Sequence, residues 1–229
     1  MFEYLGERMD WLYRLDFWLG LLQIVWINII LSGDNAVVIA LAARSLPAAQ
    51  QRLAVLFGSG AAVLLRVALT VIAARLLAMP YLQIVGGLLL LWIGVQLLQD
   101  NDEAADQGPQ HGSLLAAVRT ILLADLVMSL DNVIAVAAAA RGDLVLLVLG
   151  LAISIPLVVF GSTLMMGLMA RFPVLVTLGA ALIGWVAGET MAGDAALQPL
   201  ALGHGAALAG GLVGALLVLA LGRGLPRRT

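Results

Sequence analysis

The chain has 229 residues, of which 62% are hydrophobic and only 11% charged, and its mean hydropathy is +1.06. A water-facing surface needs far more charge than this, so a soluble domain is excluded. A net charge of −2 leaves no footprint for nucleic acid, and the lack of cysteine removes disulfides, thiolate metal sites and thiol catalysis. All 12 basic residues are arginine, which excludes a retinal-type Schiff base and points to a GC-rich bacterial genome.

Residues 1–16 mix Glu3, Glu7, Arg8, Asp10, Arg14 and Asp16 with aromatic rings. The apolar stretch that follows is too long for the core of a signal peptide, so no cleaved leader is expected. Trp11, Tyr13, Phe17 and Trp18 read as an interfacial belt leading into a first crossing. Apolar runs of about 20 residues suffice to cross a bilayer as helix, and open strands cannot satisfy their backbone in lipid. An all-α polytopic membrane protein follows, a single membrane domain over 1–229. Its seven spans are expected at about 17–43, 53–76, 80–98, 114–139, 143–169, 173–191 and 205–222. A polar loop over 99–113, with Asp100, Asp102, Glu103, Asp106 and His111 before or after Gly108-Pro109, divides the chain.

The parts on either side of that loop, 17–98 and 114–191, resemble each other. Laying Ile24–Arg44 on Ile121–Arg141 pairs Asp34 with Asp131, Asn35 with Asn132 and Ser32 with Ser129. At a slightly shorter offset, Pro80 pairs with Pro173, Gly86 with Gly179 and Trp92 with Trp185. Three helices per repeat is an odd number, so the copies enter the membrane with opposite orientation, the inverted-repeat plan of many secondary transporters. The seventh span stands outside the repeat, and its Gly210-x-x-x-Gly214 spacing offers a helix-packing face. Arg44, Arg52, Arg119, Arg171, Arg223, Arg227 and Arg228 outnumber Arg8, Arg14, Arg75 and Arg141 on the other side. The positive-inside rule therefore places the N-terminus outside and the C-terminus in the cytoplasm of a bacterial inner membrane.

Carboxylates within apolar segments cost on the order of 2.5–3.5 kcal/mol each even on a lenient scale, so a duplicated acidic pair signals use. On a helix, Asn28, Ser32 and Asn35 share one face, and Asp125, Ser129 and Asn132 repeat it. Asp34 and Asp131 point about 100° away from their Asn neighbours, so both members of a pair face one cavity only if the helix unwinds locally. Gly33 permits unwinding in the first repeat, whereas Leu130 resists it in the second. Carboxylate, amide and hydroxyl oxygens suit a hard or intermediate divalent cation, Mn²⁺, Mg²⁺ or Ca²⁺. Met128 offers a thioether that would favour Mn²⁺, against its ordinary role in packing. Arg66, mid-span, calls for an ion pair with one of the aspartates at 34, 125 and 131; three negative charges and one positive leave a deficit that one divalent ion fills. Glu189 reads as a gate or an interfacial carboxylate, and His111 and His204 as solvated loop residues.

Asn28-Ile-Ile-Leu-Ser-Gly-Asp-Asn-Ala36 and Asp125-Leu-Val-Met-Ser-Leu-Asp-Asn132 resemble the paired signatures of the TerC family of integral membrane proteins. The likeness is closest to the shorter members described as metal transport proteins, and it covers about 20–190. It implies a seven-helix fold similar to the LysE superfamily, and manganese export or a link to tellurite resistance and alkaline stress. It also implies an ion site of Asp34, Asn35, Asp131 and Asn132, with Asn28 and Asp125 as further ligands. On this reading the protein is no enzyme and holds no permanent cofactor; its partners are Mn²⁺ as cargo, the lipid bilayer and, in one arrangement, a second copy as homo-dimer. The alternatives are an exporter of an organic cation or amino acid, a stress-complex subunit with structural aspartates, and an intramembrane aspartyl protease, whose Gly-x-Gly-Asp context is missing.

Overall fold

A computed structural model describes residues 15–31, 33–77, 79–107, 113–140, 142–197 and 205–224. All regular structure among them is helical: α1 (Leu15–Leu31), α2 (Gly33–Arg44), α3 (Ala48–Leu77), α4 (Leu82–Gln107), α5 (Leu114–Ala140), α6 (Leu144–Arg171), α7 (Val174–Ala192) and α8 (Gly205–Gly224). Five helices are long and apolar enough to cross a membrane, and six if the bent pair α1–α2 counts as one crossing. The expected total of seven is not reached by that criterion, although α5, with 27 residues, has the length of its neighbours. The outward faces carry Leu, Ile, Val, Phe and Trp side chains such as Leu64, Trp92 and Phe160, as lipid contact requires.

Two helices depart from their expected extents. The first crossing is broken between Leu31 and Gly33, with a bend of 50°, where Gly33 permits it. Its sequence counterpart α5 runs unbroken through Leu130. The helix α4 continues to Gln107, so residues 99–107 extend a helix where a polar loop is expected. Nothing in this Asp-, Glu-, Ala- and Gln-containing stretch interrupts a helix before Gly108-Pro109, and charged residues are tolerated once the helix leaves the hydrocarbon.

Packing crosses between the two halves of the chain. The most extensive contacts after α7 with α8 are α3 with α5, α4 with α7, and α1–α2 with α6. The α7–α8 contact is a seam of small residues: a Cβ added to Gly184, Gly188 or Gly214 would run into backbone of the facing helix. The Gly210/Gly214 face expected from sequence thus packs within the chain, against Gly184 and Gly188. Gly188→Ala is expected to lower stability by about 1–3 kcal/mol through overpacking. Gly167→Ala, which meets nothing within 4 Å, should leave the melting temperature of the detergent-purified protein unchanged or slightly raised.

Asp194, just beyond α7, is fully buried and clamps the start of α4. Its carboxylate accepts the N–H groups of Tyr81 (2.8 Å), Gln83 (2.9 Å) and Ile84 (3.1 Å), and also that of Ala196 (2.7 Å). A free helix N-terminus leaves such donors unmatched, so this remote residue acts as the cap of α4. Tyr81 adopts a φ of 68° in the turn that presents these groups. Burial pushes the Asp194 carboxyl up, but the four N–H groups together hold it below its ordinary 3.8. The resulting stabilisation is complete above the unfolded-state value and is lost as pH falls through the lower folded value. Asp194→Asn should therefore melt well below the parent at neutral pH, and the gap should close as the pH is taken below about 4.

Candidate functional site

Arg66, near the middle of α3, is only 6% exposed, and two other helices, α1 and α5, supply what its guanidinium needs. Its Nη2 donates to Asp125 Oδ1 at 2.6 Å, its Nε to Ser129 Oγ at 3.0 Å, and its Nη1 to Asn28 Oδ1 at 3.1 Å. Ser129 Oγ in turn donates to Asp125 Oδ2 at 3.1 Å, so both carboxylate oxygens are engaged. Asn28 spends its amide on the Ile24 carbonyl at 3.0 Å, one helical turn back. The expected arginine–aspartate pair is present, and the partner is Asp125. Burial of this kind is tolerated in lipid only when charge and hydrogen bonds are matched together.

Asn28 and Asp125, both expected as metal ligands, and Ser129 thus form a receptor for an internal guanidinium. Asp34 sits apart, half-buried in the first turn of α2. Its Oδ1 accepts the N–H of Asn35 at 2.9 Å, and among the described residues no side chain pairs with it. It lies within electrostatic reach of Arg66 and Asp125. The positive end of α2 favours this carboxylate, while the last carbonyls of α1, on the other side of the break, lack intrahelical donors. Asn35 is buried, Asn132 half-buried. Ser32 and the side chain of Asp131 lie outside the described residues, as do His111 and His204. Among the described residues no three His, Cys, Asp or Glu side chains converge, so a metal here would draw amide, hydroxyl or carbonyl oxygens beside its carboxylates.

A cavity of about 210 Å³ opens beside the break. It is walled by Asn28, Gly33 and Ala36 on one side and by Ser154, Val158 and Gly161 of α6 on the other. Its polar side chains among the described residues are Asn28 and Ser154, the latter donating to the Gly150 carbonyl at 2.9 Å. Met128 is buried in the apolar core, which is its packing role. Glu189 is exposed at the end of α7 and accepts from Trp185 Nε1 at 3.2 Å, as an interfacial carboxylate does. Two residues went unnoticed in the sequence. Asp194 is one, for its caps lie more than a hundred positions away; Ser154 is the other, since nothing in its apolar stretch distinguishes it.

The Arg66 network makes a sharp prediction. Arg66→Gln leaves a buried carboxylate without its cation, which costs about 3–5 kcal/mol. Adding Asp125→Asn removes the stranded charge, so the double variant should recover most of the loss. Thermal melts of the four proteins in detergent give the coupling directly; additive losses would show that the two side chains do not act as a pair.

The family model for "Integral membrane protein TerC family" matches residues 13–229. The "Uncharacterized membrane protein YjbE" of Bacillus subtilis (strain 168) is 44% identical over 190 residues, 83% of this chain and 87% of that protein. The "UPF0053 inner membrane protein YoaE" of Escherichia coli (strain K12) is 31% identical over 145 residues, which cover 55% of this chain but 28% of YoaE. A UPF0053 protein of Buchnera aphidicola is 26% identical over a stretch of the same length. No solved structure matches.

Proposed function

The chain belongs to the TerC family of integral membrane proteins, and on that premise we propose that it exports a divalent metal ion, Mn²⁺ foremost, from the bacterial cytoplasm. The observation that carries this reading is Asp34: an intramembrane carboxylate at a helix break, without a side-chain counter-ion among the described residues, in a segment whose Gly33 and Ala36 line a cavity. An acid of this kind persists in lipid because a cation visits it. Arg66 answers Asp125, and the acids of the duplicated Ser-x-Asp-Asn motifs, Asp34 and Asp131, remain to answer the cargo. Asn35, Asn132 and the last carbonyls of α1 would complete an oxygen set suited to Mn²⁺ or Mg²⁺. The described residues lining the cavity include no aromatic ring, which favours a metal over an organic cation needing an aromatic cage.

The two three-helix repeats are proposed to be inverted copies meeting at mid-depth, a plan supported by the cross-packing of α3 with α5 and of α1–α2 with α6. The chain acts as a carrier rather than an enzyme, with its C-terminus in the cytoplasm by the arginine bias. Protonation of an aspartate would weaken the site and release the ion, which couples export to protons by charge competition.

Mn²⁺ uptake into inverted vesicles holding the purified protein tests this reading. Asp34→Asn and Asp34→Asn/Asp131→Asn should each lose at least about tenfold of the uptake, equivalent to ~1.4 kcal/mol, at unchanged thermal stability. Absence of uptake by the parent across several divalent ions and an imposed pH gradient would move the function to organic cargo or to a stress-resistance complex.

A further inference from the structure

Two contacts between helices are counterparts. Ile121 of α5 lies against Gly58 of α3, and Ile24 of α1 lies against Gly150 of α6; in each case a Cβ added to the glycine would strike the isoleucine side chain. Ile24 and Ile121 are the residues on which the two repeats align. Taking Gly58 and Gly150 as equivalents then pairs Arg66 with Val158. A second feature gives the same register: Thr70 donates to the Arg66 carbonyl and Ser162 to the Val158 carbonyl, both at 2.7 Å.

In this register the walls of the cavity acquire named counterparts. Ile29 and Ala36 correspond to Leu126 and Val133, while Leu157 and Gly161 correspond to Leu65 and Leu69. Those four counterparts form an apolar cluster of their own, with Leu69 6% and Val133 1% exposed. Asn28 and Val158 correspond to Asp125 and Arg66, the salt-bridged pair. One place is therefore an open cavity and its equivalent is packed shut, by Leu69 and Val133 where the first has Gly161 and Ala36, and by Arg66 where the first has Val158.

We propose that these are the two access routes of one carrier, caught with the α6 route open and the α3 route closed. The plug is the cluster of Leu65, Leu69, Leu126 and Val133, and the Arg66–Asp125 bridge is its latch. The cavity, of about 210 Å³, has room for roughly half a dozen waters at ~30 Å³ each. Exchange to the second state closes the route along Ser154 and Gly161 and opens that along Ala62 and Leu69, which lies toward the opposite membrane face if the repeats are inverted. The pair Arg66–Asp125 exists on one side only, so the two states differ in energy, and the bridge favours the state in which the α3 route is closed. The proposal rests on the carrier reading of the preceding subsection and names its gates.

The cysteine-free sequence allows a direct test. Single variants Ser154→Cys, Gly161→Cys, Ala62→Cys and Leu69→Cys, each checked by thermal melt, are treated in oriented membranes with an impermeant thiol reagent applied to one face at a time. Ser154→Cys and Gly161→Cys should react from one face. Ala62→Cys and Leu69→Cys should react from the other, slowly in the parent and several-fold faster when Arg66→Gln/Asp125→Asn removes the latch. Reaction of all four from the same face, silence at both Ser154→Cys and Gly161→Cys, or a closed-side pair unmoved by unlatching would each overturn the proposal. Labelling requires no transported ion. Intact sidedness without Mn²⁺ uptake would refute the cargo and leave the gates, whereas uptake without sidedness would refute the gates alone.

Discussion

A guanidinium in the middle of a membrane protein cannot be left to find its own partners. Arg66 fixes where three helices stand, because Asn28, Asp125 and Ser129 must all reach it within hydrogen-bond distance. Replaced by well-packed apolar residues, such a pair often costs nothing in stability, so its worth lies in what it specifies. A leucine at position 66 would accept many neighbours, whereas an arginine accepts one arrangement. The relative depth of α1, α3 and α5 follows, and with it the depth at which the chain breaks between Leu31 and Gly33. The α7–α8 seam works by the opposite means. With no charge to match, it depends on glycine backbones coming close enough for dispersion to act, which is how helices associate where the hydrophobic effect is weak.

The break in the first crossing and the continuity of α5 are two outcomes for nearly the same sequence. Gly33 stands where α5 has Leu130, and Asn28 where α5 has Asp125. In α5 the Asp125 carboxylate is held by Arg66 and Ser129, and the helix runs on unbroken. In the first crossing Asn28 accepts from the same guanidinium through its carbonyl, and the acid of that helix, Asp34, sits past the break with backbone N–H groups for company. A half-helix N-terminus is a reasonable place for an uncompensated carboxylate, since its dipole offsets part of the desolvation. Both segments carry the Ser-x-Asp-Asn motif, and the divergence of a few residues gives one of them a buried acid matched to an arginine and the other a break in the helix.

How much of this can be read from the chain depends on the range of the interaction. The crossings are legible from runs of apolar residues, because lipid imposes its demand on each segment separately. The break at Gly33 is legible for the same reason: it is a local permission. The extension of α4 to Gln107 is local too, and an eye drawn to charge reads a loop where only the absence of a breaker matters. Arg66 announces that it needs an acid, but not which of three, since that is settled by how α3 lies along α5. Asp194 is illegible: an aspartate between Gly193 and Ala195 in a short polar turn looks solvated, and only the arrival of Tyr81, Gln83 and Ile84 from another helix start makes it a cap.

Charge accounting connects these parts. Of the three acids at 34, 125 and 131, one is answered permanently by an arginine that belongs to the protein. A site that kept all three for the cargo would hold a divalent ion tightly and release it slowly, and its empty form would carry three unmatched charges in lipid. With Asp125 matched to Arg66, an empty carrier of the proposed kind would have Asp34 and Asp131 left to stabilise, a load that proton binding would lighten. On the proposed repeat, the same bridge lies at one of two equivalent places. On the proposed two-route reading, a charge pair that lowers the cost of the empty form would also bias which of the two routes rests closed, while the direction of net movement would be left to the ion and proton gradients.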